Sequence, residues 1–481
     1  MLEARAHQQL KNLLLQDSSA WPNHLTLSRL VGRSLRRRDH TLIQLDSNSH
    51  NLWWPGLLVP LALEPKGTAL VIANDQRQRL LQVELPRLQA AGLKISCWEG
   101  DHPPSAAQVW LLDPLELIDA HQQGRLHTRQ LIVPEAEQLS ARLRAAMAIT
   151  IKPEDWERLR RAHPTANAAV VELHERLSRR LFTQATRADA LIRLDGSEIV
   201  ALKDLMAVLG EAPAPWPAML KANSMDWASW AELDHRLLQW HWQLQPLNPL
   251  QLLSGLLRDH PATLLSQAGE SLSLRAELDA AKFPATVTAS LIDRGLEEPL
   301  ALFAPRRQPL PNTEIYAEHL LEQARRLILG RSGLTVVLLD DQQLRHQLTS
   351  ELAAEFGRRV IHEACAPEIN GVICCRWSWW LQQQQLLPQP EQLIIALLPL
   401  ASLECPVTAA RVEALKREGR DWFRELLLPD ALALLAPAVA PIRQSGGRLA
   451  ILDGRLRRRS WGRQILAKLE PWTALHRLLP D

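Results

Sequence analysis

The stretch LIVPEAEQL, residues 131–139, places acidic side chains directly after an apolar run. Proteins that hydrolyse nucleotides use such a strand end to hold magnesium and to position the attacking water, and carboxylates serve both tasks. Here Pro134 stands where the magnesium-holding carboxylate is expected, which leaves Glu135 as the candidate water activator. A structural explanation competes with this role, because an acid in the first helical turn after a proline is stabilised by the helix dipole.

Two arginine clusters are candidates for contacts with nucleic-acid phosphates, since basic grooves with interleaved aromatic rings bind single strands. They read GRSLRRRDH and GRLRRRSWGR, and the second includes Trp461. A solvated helix end or loop is the competing explanation for both clusters. The arginines are Arg33, Arg36, Arg37 and Arg38 in the first cluster, and Arg455, Arg457, Arg458, Arg459 and Arg463 in the second. From the second cluster we predict phosphate contacts by Arg457, Arg458, Arg459 and Arg463.

The histidines and cysteines favour neither a metal site nor an iron–sulfur cluster. His235 and His241 lie six residues apart, which does not place them on one helix face, and no cysteine lies near them. The cysteines form no CxxC pair, so we expect them to be reduced and buried. They are Cys97, Cys365, Cys374, Cys375 and Cys405.

The composition is that of a globular, nearly neutral chain. Its 481 residues suggest two to four domains, and 46% hydrophobic residues are enough for ordinary cores. Because the formal net charge is only +2, nucleic-acid binding would have to come from local patches. The first residues show a polar–apolar helix pattern rather than a signal peptide, and no uncharged apolar run approaches the ~20 residues of a membrane span. We therefore expect a cytoplasmic protein with no membrane partner.

Strands and helices alternate over the first 150 residues, as they must to position Glu135 at a sheet edge. The helix pattern RQRLLQVELPRLQAAG ends at Gly92. Continuous apolar strands separated by helices indicate a parallel α/β sheet. The strand candidates are LIQL, TALVIAN ending at Asn74, KISCW, AQVWLL and RQLIV ending at Pro134, followed much later by PATLLSQ and PATVTASLI.

The pattern changes in the middle of the chain and then returns. From about 151 to 255, segments such as AAVVELHERLSRRLF and WAELDHRLLQWHWQL have a helical period and predict a helical subdomain. The proline-rich APRRQPLPN predicts a linker, and the strands TVVLLD, GVICC, QLIIALL and RLAILD then indicate a second α/β unit. The predicted domains are 1–150 with about 256–303, a helical insertion at 151–255, and 304–481.

A series of turn and helix motifs occupies the C-terminal third. Leu398, Pro399 and Leu400 form a turn, Pro406, Ala410 and Arg411 follow, and Phe423, Leu428, Pro429 and Ala431 complete the series. The closing stretch RLAILDGRLRRRSWGRQILAKL adds Asp453, Arg455, Gly462 and Leu466. In this order the residues resemble the second motor domain of DinG/XPD-type superfamily 2 DNA helicases. The resemblance is good over about 310–475 and rests on order and spacing alone over about 40–140. It implies two RecA-like parallel-sheet domains of the P-loop NTPase/helicase type, with an inserted helical subdomain.

The same resemblance implies a catalytic apparatus that this chain largely lacks. The family's phosphate loop falls on LDSNSHNLWWPGLLVPL, where Trp53 and Trp54 replace the lysine and the hydroxyl residue. Within this segment no glycine precedes Gly56, so an anion-binding backbone loop is hard to form. In the DEAH-type box, proline replaces the aspartate and Glu137 replaces the histidine.

Two further catalytic motifs and the family's iron–sulfur cysteines are altered as well. CCRWSWWLQQQQ stands in place of "GTSSFWEGVD", and APAVAPIR in place of "QGxGRxIR". Ala436 and Ala440 thus replace the glutamine and the finger arginine, whereas Arg443 remains at the last arginine position. Cys97 alone occupies the segment that carries the family's cluster ligands.

The resemblance therefore implies a helicase-fold protein with lost or strongly reduced ATPase activity that binds nucleic acid or a partner protein in DNA maintenance. Two alternatives stay open: an active ATP-dependent DNA helicase with divergent motifs, and a protein scaffold without nucleic-acid binding. Under the helicase alternative alone, ATP and Mg²⁺ are expected, with Glu135 as water activator and Arg443 as phosphate contact.

The implied partners are single-stranded DNA or a DNA-maintenance protein. NDQRQR lies where the family's first domain places a DNA-contacting loop after a strand. This position adds Asn74, Gln76 and Arg77 to the predicted nucleic-acid contacts.

Overall fold

The computed structural model describes residues 2–15, 21–46, 52–126, 129–184, 191–194, 197–222, 226–253, 255–267, 272–291 and 299–475. The strands are β1 Thr41–Leu45, β2 Thr68–Val71, β3 Cys97–Trp98, β4 Val109–Leu112, β5 Gln130–Val133, β6 Ile149–Ile151, β7 Leu191–Arg193, β8 Trp227–Asp234, β9 Gln239–Pro246, β10 Ala262–Ser266, β11 Val287–Leu291, β12 Leu300–Phe303, β13 Thr335–Leu338, β14 Val360–His362, β15 Val372–Cys375, β16 Gln392–Ile395, β17 Arg448–Ile451 and β18 Trp472–Ala474. The helices are α1 Leu2–Leu15, α2 His24–Arg37, α3 Trp54–Leu63, α4 Asn74–Arg79, α5 Leu85–Ala90, α6 Pro114–Gln122, α7 Ala136–Ala146, α8 Pro153–Ala162, α9 Asn167–Gln184, α10 Ser197–Leu209, α11 Trp216–Lys221, α12 Pro249–Leu252, α13 Leu256–Asp259, α14 Leu272–Ala280, α15 Tyr316–Ile328, α16 Gln342–Phe356, α17 Trp377–Gln383, α18 Pro406–Arg417, α19 Leu428–Ser445, α20 Arg455–Arg458 and α21 Gly462–Lys468. Leu80–Glu84 and Phe423–Leu427 form π-helical turns, and Pro164–Ala166 and Gly357–Arg359 form 3₁₀ turns.

The first lobe is built on a seven-stranded parallel sheet with the order β11-β1-β10-β5-β2-β4-β3. Strands β2, β4 and β5 are buried along their whole length, as expected for parallel strands covered by helices on both faces. The predicted parallel α/β sheet is therefore confirmed. Helix α4 begins at Asn74, so the strand TALVIAN ends earlier than predicted, at Val71.

The second lobe repeats this plan. Its seven parallel strands follow the order β14-β15-β13-β16-β17-β12-β18. Apolar helix faces cover both sides of the sheet, with Tyr316 and Leu320 on one side and Trp377, Trp380 and Leu435 in the other cluster. The second predicted α/β unit is therefore confirmed as well.

The middle segment corrects the prediction of an all-helical insertion. Helices α8 to α11 are present, but β6, β9, β8 and β7 form an antiparallel sheet in that order. WAELDHRLLQWHWQL, predicted as helical, is mostly a β8–β9 hairpin that turns near Leu238 at φ 51°. In β9 the residues Trp240, Trp242 and Leu244 are buried and alternate with more exposed ones. This two-residue period defines a half-buried strand, and it is the signal that the helical interpretation missed.

The boundary between the lobes also needs correction. Strand β12, Leu300–Phe303, was assigned to the first domain, but it pairs with β17 and β18 in the second sheet. The segment predicted as a linker is packed on the second lobe, because Gln308 is 3% exposed and its Nε2 donates to the carbonyl oxygen of Ile451 at 2.9 Å. The second lobe thus begins by Leu300 rather than at residue 304.

The lobes meet through α14, α18 and α19. Arg411 on α18 lies 3.6 Å from Glu277 of the first lobe and 3.5 Å from Asp430 on α19. Ser273 Oγ donates to Asp430 Oδ1 at 2.7 Å. On the insertion side, Ala410 packs in a small apolar cluster with Trp230 and neighbours of β8 and β9. Arg411, which carries part of the resemblance, is therefore a residue of the lobe interface.

One helical stretch, Phe423–Ser445, is long and apolar enough by composition to span a membrane. It instead packs in the second lobe, where Trp380 Nε1 donates to the carbonyl oxygen of Ala438 at 2.9 Å and Leu435 and Ile442 are fully buried. It is the core helix of a globular lobe, and no membrane protein is indicated.

Candidate functional site

The carboxyl edge of the first sheet collects the residues that the sequence singled out. Because the strands are parallel, the positions after β1, β2, β5 and β10 lie along one edge. These positions are occupied by Asp46, Asn74, Glu135 and Gln267. This edge is the candidate nucleotide site.

Glu135 is held in place by an arginine of its own helix. It precedes α7 in a left-handed conformation, φ 55° and ψ 47°, which is strained for a residue other than glycine. Its Oε2 lies 2.5 Å from Nη2 of Arg142, two turns further along α7, and its Oε1 is 3.5 Å from Nε2 of Gln76. Both carboxylate oxygens of Glu135 are thus engaged by side chains of the same lobe.

Glu137, two residues after Glu135, has different partners. Both of its carboxylate oxygens are 3.3 Å from the backbone N–H of Gln267, which follows β10. Burial, with a smaller contribution from the negative charge of Glu135, raises the pKa of Glu137 to about 7. Glu135 is thus ion-paired with Arg142, whereas the pKa of Glu137 lies near neutrality.

Trp53 and Trp54, which were predicted to stand in place of the family's lysine and hydroxyl residue, are both core residues. They are fully buried, and their rings stack with centroids 4.3 Å apart. A Cβ on Gly56 would lie 3.0 Å from the carbonyl oxygen of His24, so this glycine allows α3 to pack closely against α2. Residues 47–51 of the corresponding loop lie outside the described residues.

The described residues do not fit a magnesium–nucleotide complex. Pro134 offers no metal ligand, the two indoles offer no charge, and Glu135 is paired with Arg142. Across the described ranges, no group of three or more His, Cys, Asp or Glu side chains is arranged to hold a metal ion. The structure therefore supports no phosphoryl-transfer step through these residues.

Two of the three nucleic-acid contacts predicted on α4 bind side chains within the first lobe instead. Arg77 Nη2 lies 2.6 Å from Glu116 Oε2, and Glu116 in turn forms the capping box of α6 with Asp113. Gln76 faces Glu135, whereas Asn74 is exposed at the start of α4. Of these three residues, Asn74 alone has an exposed side chain.

Arg443 lies at the opposite end of the second lobe from the carboxyl edges. It is near the end of α19, just before β17 begins. Its guanidinium donates to the carbonyl oxygens of Leu469 at 2.5 Å and of Glu470 and Pro471 at 3.2 Å. This placement argues against a phosphate contact. Arg443 instead binds residues 469–471 to the end of α19.

The second arginine cluster lies just after β17 and faces solvent. Asp453 is fully buried, accepts an N–H from Leu398 at 3.0 Å, and pairs with Arg455 at 2.6 Å. Arg455 is thus structural. The other four arginines, Arg457, Arg458, Arg459 and Arg463, are exposed.

Comparison with known proteins agrees with this architecture. No known family profile matches the chain. ATP-dependent DNA helicase YoaA of Escherichia coli (strain K12) is 26% identical over 179 residues, which cover 34% of this chain and 28% of YoaA. The match thus spans less than a third of that relative. The structure of S. tokodaii Xpd4 has a TM-score of 0.63 at 12% identity and covers 94% of this chain and 99% of its own. A structure titled XPD_APO has a TM-score of 0.59 at 10% identity, with 94% and 99% covered.

This chain is a helicase-fold protein related to the DinG/XPD-type helicases. The relation confirms the resemblance to DinG/XPD-type helicases and the expectation of two parallel-sheet lobes. The predicted site residues and the loss of catalytic motifs are not decided by the fold, since folds host many activities.

Two features of the carboxyl edge of the first sheet were missed at the level of sequence, the ion pair of Glu135 with Arg142 and the environment of Glu137. Arg142 follows Glu135 by seven residues, a spacing that returns to the same helix face, so an ion pair was predictable once α7 was known. The environment of Glu137 depends on β10, which lies about 130 residues further along the chain, and no local pattern indicates it.

Proposed function

We propose that this helicase-fold protein has lost, or strongly reduced, ATP hydrolysis and acts in DNA maintenance by binding nucleic acid or a partner protein in the cytoplasm. The observation that carries the proposal is the carboxyl edge of the first lobe. There Glu135 is paired with Arg142 at 2.5 Å, and Trp53 and Trp54, which the resemblance aligns with the family's phosphate-binding residues, are buried.

Nucleic-acid binding is supported by the exposed arginines after β17. Arginine contacts phosphate through a planar fork of donors, and binding that depends on such contacts falls with salt. The expected ligand is single-stranded DNA, with Asn74 as a further contact on the first lobe. The proposed units are the first lobe, 1–150 with about 256–299, the insertion at about 151–255, and the second lobe from about 300.

The proposal is tested by calorimetric titration of the purified protein with ATP and ADP in the presence of Mg²⁺, alongside titration with single-stranded DNA without nucleotide. We expect saturable binding of DNA and none of nucleotide. Saturable ATP binding would contradict the loss of the nucleotide site. Failure to bind DNA at low salt would leave the scaffold alternative as the better account.

An active helicase is the second candidate, and one observation favours it: the identity shared with YoaA, whose name states an ATP-dependent DNA helicase. In that case residues 47–51 would have to supply the phosphate loop. DNA-stimulated ATP turnover would establish this alternative.

A further inference from the structure

The loop that connects β12 to α15 and the segment after β17 form one surface. Gln308 of the loop donates to the carbonyl oxygens of Ile451 at 2.9 Å and Pro305 at 3.1 Å. A Cβ on Gly454 would lie 2.2 Å from the carbonyl oxygen of Pro309, so only glycine allows the two backbones to approach this closely. Because β12 and β17 are parallel neighbours, both segments leave the sheet at the same edge.

This contact places two more arginines beside the predicted cluster. Arg306 and Arg307 are exposed in the loop, directly after Ala304 and Pro305. The carbonyl oxygen of Ala304 accepts a hydrogen bond from Arg457 Nη2 at 3.4 Å. The sequence separates the two groups by about 150 residues, so only the fold brings them together.

No acid neutralises the combined surface within the described part of the chain. Asp453, the carboxylate closest in sequence to the second cluster, is buried and already paired with Arg455. None of the exposed arginines on the surface forms an ion pair with a described residue. They are Arg306, Arg307, Arg457, Arg458, Arg459 and Arg463.

The aromatic ring of the cluster takes part in the packing of the second lobe. Trp461 packs against Phe423, with ring centroids 5.5 Å apart, and joins the apolar core of the second lobe. Part of the ring is thus covered by the lobe. The exposed groups named on this surface are guanidinium groups, which contact phosphates through a planar fork of donors.

We infer that Arg306 and Arg307 act together with Arg457, Arg458, Arg459 and Arg463 as one phosphodiester-binding surface, which holds a nucleic-acid strand by its backbone alone. This inference rests on the proposed nucleic-acid binding and specifies its site and its mode. Each phosphate contact on a single strand contributes about −0.7 to the slope of log affinity against log salt. Removal of two contacts should therefore reduce that slope by about 1.4.

The test measures anisotropy of two labelled probes of equal length, an oligothymidylate and an abasic oligonucleotide, over a series of NaCl concentrations. Three variants are compared with wild type: R306A/R307A, R457A/R458A/R459A, and the control R176A/R179A, which removes two exposed charges from α9. We expect R306A/R307A to bind both probes more weakly at low salt, on the order of tenfold, with the smaller salt slope. The control should match wild type.

The outcomes separate this inference from the proposal on which it rests. Wild-type affinity in R306A/R307A, with a clear loss in R457A/R458A/R459A, would overturn the combined surface but keep nucleic-acid binding. Much weaker binding of the abasic probe than of oligothymidylate would overturn the backbone-only mode. Absence of wild-type binding at the lowest salt would overturn both. Since all substituted side chains are exposed, circular dichroism should show unchanged folding.

Discussion

Glu137 allows a physical test of the carboxyl edge of the first lobe. Burial raises its pKa from 4.5 to about 7 in the folded protein, whereas the unfolded chain titrates near the ordinary value of about 4.3. Between these two values the folded state binds the extra proton. Stability therefore decreases as pH rises from about 4.3 to about 7, and this contribution is constant above that range.

The magnitude follows from the two pKa values. A difference of one pKa unit is worth about 1.4 kcal/mol, so the full difference between about 4.3 and about 7 would correspond to roughly 4 kcal/mol. Glu137 is partly exposed, and solvent screening reduces the expected effect to about 1–2 kcal/mol. Glu137→Gln keeps an acceptor for the Gln267 N–H but cannot ionise. We expect the variant to melt about 2–8 °C above wild type near pH 8, with no gain near pH 5.

Scanning calorimetry of both proteins across this pH range gives the difference directly. Glu172→Gln, which changes an exposed glutamate on α9, is the matched control and should follow wild type at every pH. The reasoning is refuted if Glu137→Gln melts below wild type near pH 8, or if the difference between the two proteins does not change with pH.

Three further predictions follow from contacts already described. Glu135→Gln should leave ATP turnover unchanged, since its carboxylate is paired with Arg142; a clear loss of turnover would restore it as a catalytic base. Arg443→Ala should lower stability by about 1–2 kcal/mol through loss of its bonds to residues 469–471, while DNA affinity by anisotropy stays at the wild-type value. Weaker DNA binding would contradict this purely structural role. Arg411→Ala should speed amide hydrogen exchange in α14 and α18, because Glu277 and Asp430 lose the arginine that they share. Unchanged exchange in these helices would mean that the ion pairs do not hold the lobes together.

The sheets of both lobes were predictable because their strands are short, continuous apolar runs. Segments such as TALV, VWLL and QLII are buried on both faces, and this burial is what makes parallel strands apolar throughout. The β8–β9 hairpin was not recognised, because its tryptophans and leucines fit a helical period over short windows. The two-residue alternation through Trp240 and Trp242 becomes decisive only when their burial is known.

The candidate site was predictable in part. Position after a strand identified Glu135 and Asn74, and replacement by tryptophan indicated the loss of the phosphate contacts. Pairing between residues far apart in the chain could not be foreseen. Arg77 forms an ion pair with Glu116. Gln308, in the segment predicted as a linker, donates a hydrogen bond to the carbonyl oxygen of Ile451. Such contacts join residues far apart in the chain and leave no periodic pattern.

The central claim is that this helicase fold no longer hydrolyses ATP. The most direct test is steady-state ATP turnover by the purified wild-type chain, with Mg²⁺, in the absence and presence of single-stranded DNA. The account predicts no turnover above a protein-free blank in either condition. Turnover that rises when DNA is added would contradict it, and would mean that the loop after β1 binds phosphate despite Trp53 and Trp54.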